Sequence, residues 1–207
     1  MSRLVDLRVL ELVAARLCHE LISPIGAIAN GVELLGEDDP EFVRDATALI
    51  GQSAKKAGQR LQFYRFAYGS SATGEMAGPD PRELVGGLFE GGKLSCSWDA
   101  EAMMLPIELQ RLACNMILLA AETLPRGGTI TVAAGPPAAR SVDIVGVGEA
   151  LNVTDELRAA VAQRTDLADL TSRTIHGYFT AALGRALGLT LSLASPGPGR
   201  LVVAAAP

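Results

Sequence analysis

The sequence predicts an α+β protein: an N-terminal antiparallel helical hairpin that pairs into a dimeric four-helix bundle, followed by an α/β sandwich. Three observations lead there. Before residue 69 apolar residues recur with helical spacing, broken by one turn, Gly36-Glu37-Asp38-Asp39-Pro40. The stretch from Gly69 to Pro81 is dense in Gly, Ser and Pro, which separates a region of residues 1–70 from one of residues 79–207. Beyond it, β-branched runs alternate with helical ones. The chain has 207 residues, enough for one or two domains, and a hydrophobic fraction of 49% that argues against disorder.

In the first helix Leu17, Leu21, Pro24, Ile28, Gly31 and Leu35 form one apolar seam, and Cys18, Ile22, Ile25, Ala29 and Val32 form a second beside it. The second helix opens with Asp39 as N-cap, Pro40 at the first helical position and Glu41 in the first turn. Its stripe is Phe42, Ala46, Leu49, Ser53, Ala57, Leu61, Tyr64 and Tyr68, with Gly69 as the stop. Helices of roughly 30 residues are about 45 Å long. A lone hairpin of that length cannot cover its apolar surface, so a homodimer through this region is expected.

After the boundary, Arg82 to Phe89 reads as a helix, Leu94 to Trp98 as a strand and Pro106 to Thr123 as a longer helix. Thr129 to Ala134 and Ser141 to Val147 read as a hairpin across Gly135-Pro136-Pro137. Thr154 to Arg164 and Arg173 to Leu187 read as helices. Leu189 to Ala194 and Arg200 to Ala205 make a final hairpin across Ser195-Pro196-Gly197-Pro198-Gly199.

Charge and composition exclude several functions. A net charge of -5 without a basic run leaves no nucleic-acid footprint. No run of about 18 apolar residues appears and the start, Met1 to Asp6, lacks the layout of a secretory signal, so the expectation is a cytoplasmic protein with no membrane partner. Cys18, Cys96 and Cys114 are scattered, odd in number and read as plain thiols, with Cys18 packed in its seam. Trp98 and the Met103-Met104 pair read as core or edge residues. Gly127-Gly128 reads as a turn, since no Lys-Ser/Thr end of a phosphate loop follows. His176 has no acid or cysteine cluster around it and reads as structural.

His19 lies off both seams. The face it shares carries Arg16, Glu20, Ser23, Gly26, Ala27 and Asn30, all polar or small. Antiparallel geometry sets it level with Ala57, so Lys55, Lys56 and Arg60 of the second helix stand at its height with Arg16 nearby. A basic collar around a histidine suits a phosphoryl group. Periodicity alone leaves a second reading open, in which His19 is an ordinary solvated residue and the lysines a solubilising face.

The segment His19-Glu20-Leu21-Ile22-Ser23-Pro24 resembles the H-box of two-component histidine kinases, in which His and Glu are adjacent and Pro comes five after the His. The resemblance implies that His19 is phosphorylated and that Glu20 orients the imidazole, leaving one ring nitrogen as nucleophile. Ser23 stands where kinases often carry Thr or Asn. Pro24 removes one backbone hydrogen bond and bends the helix.

The second region is similar in element order to the kinase ATP-binding domain, yet departs from it wherever nucleotide chemistry is needed. Of two N-box Asn four apart, Asn115 remains and Leu119 replaces the second. In Ile144-Val145-Gly146-Val147-Gly148 the glycines of Asp-x-Gly-x-Gly remain and Ile144 replaces the Asp. His176 to Gly184 carries bulky residues where a Gly-rich lid should wrap phosphates. Apolar side chains neither hold magnesium nor accept a hydrogen bond from adenine.

An H-box hairpin, a short linker and an emptied kinase-like domain together look like a histidine phosphotransferase of the ChpT type, known from alphaproteobacterial phosphorelays. The resemblance implies that no cofactor and no ATP is bound. It implies that the receiver domain of a hybrid histidine kinase donates the phosphoryl group, that the receiver supplies Mg²⁺, and that response-regulator receiver domains are the recipients. Two alternatives stand beside this reading: an ATP-dependent kinase with an atypical nucleotide site, and a non-catalytic dimeric adaptor for receivers.

Overall fold

A computed structural model describes residues 6–36, 38–69, 79–136 and 139–207. Among them the order is α1 (Leu7–Leu34), α2 (Pro40–Tyr68), α3 (Pro81–Phe89), β1 (Leu94–Trp98), α4 (Ile107–Glu122), β2 (Gly128–Ala134), β3 (Val142–Val147), α5 (Asp155–Val161), α6 (Ile175–Ala186), β4 (Thr190–Gly197) and β5 (Arg200–Ala206). Short 3-10 turns at Ala102–Met104 and Leu167–Asp169 were not expected from the sequence. Most of the linker Gly69–Pro81, together with Met1–Val5, Glu37, Pro137 and Ala138, lies outside the described residues.

The helix starts follow local chemistry. Asp6, Asp39 and Asp80 cap α1, α2 and α3 by accepting from the backbone N–H two residues on, at 2.8, 2.9 and 2.9 Å. Pro40 and Pro81 then occupy first-turn positions where no N–H is needed. α1 and α2 pack antiparallel as a hairpin, and at their crossing Gly31 is buried. A Cβ there would stand 2.6 Å from Ile50 Cγ1, so glycine permits the close approach.

The two apolar seams of α1 separate. The seam containing Leu17, Leu21, Pro24, Ile28 and Gly31 is partly or fully covered, whereas Ile22 is 68% exposed, Ile25 55% and Val32 54%. Cys18 is exposed too, which corrects its expected burial in the single chain. Along α2, Ala46, Ser53 and Tyr64 are buried, but Phe42 (57%), Leu49 and Leu61 remain at the surface. The residues of α2 that periodicity missed are Phe63, Phe66 and Ala67, buried because they face the second region instead of α1. By length and composition alone α1 would also qualify as a membrane span, so the absence of an 18-residue apolar run understated its hydrophobicity.

The second region is a five-stranded sheet in the order β1-β2-β3-β5-β4, with β1 parallel to β2 and the remaining pairs antiparallel. α4 supplies the main helical layer: Leu109, Leu112, Met116, Ile117 and Leu119 meet Ile130, Val132, Ile144, Leu201 and Val203 in one core that also takes in the end of α2. The last hairpin is tighter than expected. β4 continues through Pro196 to Gly197, which pairs with Arg200, and an irregularity after Ala194 absorbs the proline. Pro196 is tolerated because β4 is an edge strand. Met104 is exposed, against its expected place in a core or edge.

Candidate functional site

His19 sits just before the middle of α1, with its side chain exposed between Cys18, also exposed, and the partly covered Glu20. The hairpin brings Glu20 opposite Arg60 of α2. Arg60 Nη1 donates to Glu20 Oε2 at 2.7 Å and to the Glu20 backbone oxygen at 2.5 Å. The expected level of α2 is therefore met, since Arg60 lies one turn beyond Ala57.

Two other expected collar residues, Arg16 and Lys55, have their own partners. Arg16 makes an ion pair with Glu122 at the end of α4, close to the second region and one turn along α1 from His19. Burial pushes Glu122 up to about 7, while the Arg16 charge pulls it down. Lys55 donates to Glu90 at 2.6 Å, and Gln59 donates to the same carboxylate at 2.5 Å, which holds Glu90 below the usual carboxylate range. Lys56, Gln59 and Arg60 line a polar cleft of about 210 Å³ with Gly87, Glu90 and Gly91. Ser23 is exposed on the His19 face. Sequence reasoning missed Glu90, Gln59 and Glu122. Glu122 lies 106 residues from its partner and Glu90 lies 35 away, separations that helical spacing does not relate.

Below this level, α2 is tied to the second region by a buried polar chain. The Tyr68 hydroxyl meets His176 Nδ1 at 3.2 Å, and His176 Nε2 meets the Asn115 backbone oxygen at 2.9 Å. The Asn115 side-chain amide donates to the Ala67 and Arg111 carbonyls at 3.0 and 2.9 Å. With Nε2 facing a carbonyl, His176 donates there and Nδ1 accepts from Tyr68. Burial, with a smaller push from Arg16, depresses His176 to about 3, so it is neutral. Burial raises Tyr64 to about 12, with Glu20 adding to the rise, and raises Tyr68 further.

The comparisons with known proteins follow the same outline. The family model for the histidine phosphotransferase C-terminal domain matches residues 78–199. The protein phosphotransferase ChpT of Brucella abortus (strain 2308) is 32% identical over 185 residues, covering 88% of each chain. A solved structure of a bacterial phosphotransferase superposes with a TM-score of 0.80 at 30% identity, over 99% of this chain and 98% of that one. The chain belongs to the ChpT-type histidine phosphotransferases.

In this phosphotransferase the positions at which the sequence departs from the kinase nucleotide motifs are occupied by packing. Leu119 and Ile144 are fully buried in the core. Gly146 and Gly148 answer to packing: a Cβ on Gly148 would stand 2.5 Å from the Gly127 oxygen, and one on Gly146 would stand 3.2 Å from Leu124. His176 to Gly184, where a lid would lie, is helix α6. Asn115 Oδ1 is buried without a hydrogen-bond partner, but one enclosed amide oxygen makes no magnesium site. The residues present do not fit Mg²⁺-ATP. Among the described residues no group of three or more His, Cys, Asp and Glu could hold a metal ion.

Proposed function

We propose that this chain is a phosphorelay carrier in which His19 accepts a phosphoryl group from a receiver-domain aspartyl phosphate, such as that of a hybrid histidine kinase. The phosphoryl group then passes to the receiver domains of response regulators, without ATP. The supporting observation is the exposed imidazole of His19 beside Glu20 and Arg60 in a chain of this family. Transfer forms an N–P bond to His19 as the acyl-phosphate P–O bond breaks, with the electron pair returning to the receiver's aspartate. The receiver brings Mg²⁺, and the chain needs only to hold the histidine in line and leave room for the partner. Ser23, Lys55 and Lys56 then lie on the surface that a docked receiver meets, and Arg16 lies at its edge.

The active form is a homodimer. Ile22, Ile25, Val32, Phe42 and Leu49 are exposed apolar residues on the hairpin, and a second copy burying them as a four-helix bundle would remove them from water. The polar centre of α1, with Arg16 and Glu20 paired to α4 and α2, favours that reading over a membrane span and favours the cytoplasm. The second region supports the bundle and adds contact surface for a regulator, and its layout is that of a kinase ATP-binding domain emptied of nucleotide. Mixing the chain with a phosphorylated receiver and then a second receiver, with no nucleotide present, tests the proposal. Label should pass from the first to the second only through the chain. Binding of receivers without any labelled intermediate would favour the adaptor, and label from ATP alone the kinase.

A further inference from the structure

Pro24 lies four residues after Glu20 in α1, and proline has no N–H. The Glu20 carbonyl therefore lacks the donor that position 24 supplies in a regular helix, one residue from His19. Arg60 fills the vacancy from α2. Its Nη1 donates to the Glu20 backbone oxygen at 2.5 Å and to Glu20 Oε2 at 2.7 Å. We propose that Arg60 is the positioning residue of the acceptor turn, replacing the backbone donor that Pro24 removes while keeping the carboxylate of Glu20, the residue after His19, paired to α2. No other basic residue is recorded on the Glu20 carboxylate among the described ion pairs.

The two contacts have different consequences. The backbone contact fixes the turn that carries His19, because an unsatisfied carbonyl in a half-covered helix would otherwise let the bend vary. The carboxylate contact holds the Glu20 side chain against α2, because the same Nη1 that meets the backbone oxygen also meets Oε2. The remaining charged and titratable groups around Glu20 are Arg16 on its own helix, Tyr64 and Tyr68 on α2 and Glu122 on α4. Arg16 is engaged by Glu122, which leaves Arg60 as the group that answers the Glu20 charge.

The inference rests on His19 as the acceptor, but its test needs no phosphoryl donor. Arg60→Gln should lower the melting temperature of the full chain and speed amide hydrogen exchange in the turn around Glu20 by about tenfold or more, with exchange in the sheet unchanged. Arg60→Lys, which keeps a donor, should restore most of that protection. In a Pro24→Ala chain, where the N–H is restored, Arg60→Gln should cost less melting temperature than it does in the wild type. Unchanged exchange around Glu20 in Arg60→Gln, or an equal loss of melting temperature with and without Pro24, would overturn the inference. A wild-type chain that takes no phosphoryl group from a phosphorylated receiver would remove the acceptor reading instead, and the exchange would still report on Arg60.

Discussion

The stretch around His19 and the stretch around Asn115 stand in opposite physical states. Around His19 the chemistry is at the surface: the imidazole is exposed, Ser23 and Lys56 are open, and Glu20 is reachable beside Arg60. Around Asn115 everything is shut. Asn115, Leu119 and Ile144 have no exposed surface, and the hydrogen bonds of Asn115 and His176 are spent on joining α2 to α4 and α6. A site that works by admitting a partner must stay accessible, and a side chain enclosed on all sides contributes through packing. Accessibility therefore separates the two regions more sharply than their sequence motifs do.

The comparison breaks most sharply at His19. His19→Ala should reduce transfer from a phosphorylated receiver by roughly a thousandfold or more, with the dimer intact in sedimentation. Next comes the interface. Ile25→Glu places a charge on the exposed apolar seam of α1 and should turn the dimer into a monomer at micromolar concentration, as read by light scattering, because pairing would bury an unpaired carboxylate. A wild-type chain that is already monomeric would break the bundle proposal.

The shut region gives the next largest effect. Ile144→Asp, which restores the residue type of the kinase motif, should cost at least about 3 kcal/mol in urea unfolding, because the carboxylate enters a core without a partner. It should not restore nucleotide binding in calorimetry. Binding of ATP by that variant would mean that the region is a site in waiting and not core.

The smallest effect is a pH dependence. Burial holds His176 at about 3 against an ordinary 6.5, so below pH 6.5 the unfolded chain binds a proton that the folded chain refuses. Stability falls there by about 1.4 kcal/mol per pH unit from this group. Glu122, raised to about 7 from 4.5, works in the other direction: its contribution is present below pH 4.5 and is lost as pH rises towards 7. The slopes oppose each other between pH 4.5 and 6.5. Glu122→Gln should therefore make the acid loss of stability steeper than in the wild type, by an amount approaching that same slope.

Much of this was readable in advance, for local reasons. Asp39-Pro40-Glu41 announces a helix start through chemistry that acts within three residues, and the α2 boundaries follow. β1 could be read end to end, because Gly91-Gly92 precedes it and the strand-poor run Asp99-Ala100-Glu101 follows it. What escaped was tertiary. Phe63 and Phe66 are buried by a neighbour that periodicity does not see, and Glu122 reaches Arg16 only after the second region docks. Pro196 reads as a loop residue in sequence and is a strand residue only because β4 has an open edge. At the site, hairpin geometry set Arg60 near the height of His19 but did not pair it with Glu20, and it could not give Arg16 and Lys55 their partners, since those carboxylates lie on other elements.

The central claim is that the phosphoryl group rests on His19 and comes from a receiver. The most direct measurement is ³¹P NMR of the chain after incubation with a phosphorylated receiver in nucleotide-free buffer. The account predicts one N–P resonance from the chain that is lost on acidification and absent from His19→Ala. A resonance that persists in His19→Ala, or one that forms only when ATP is added, would contradict it.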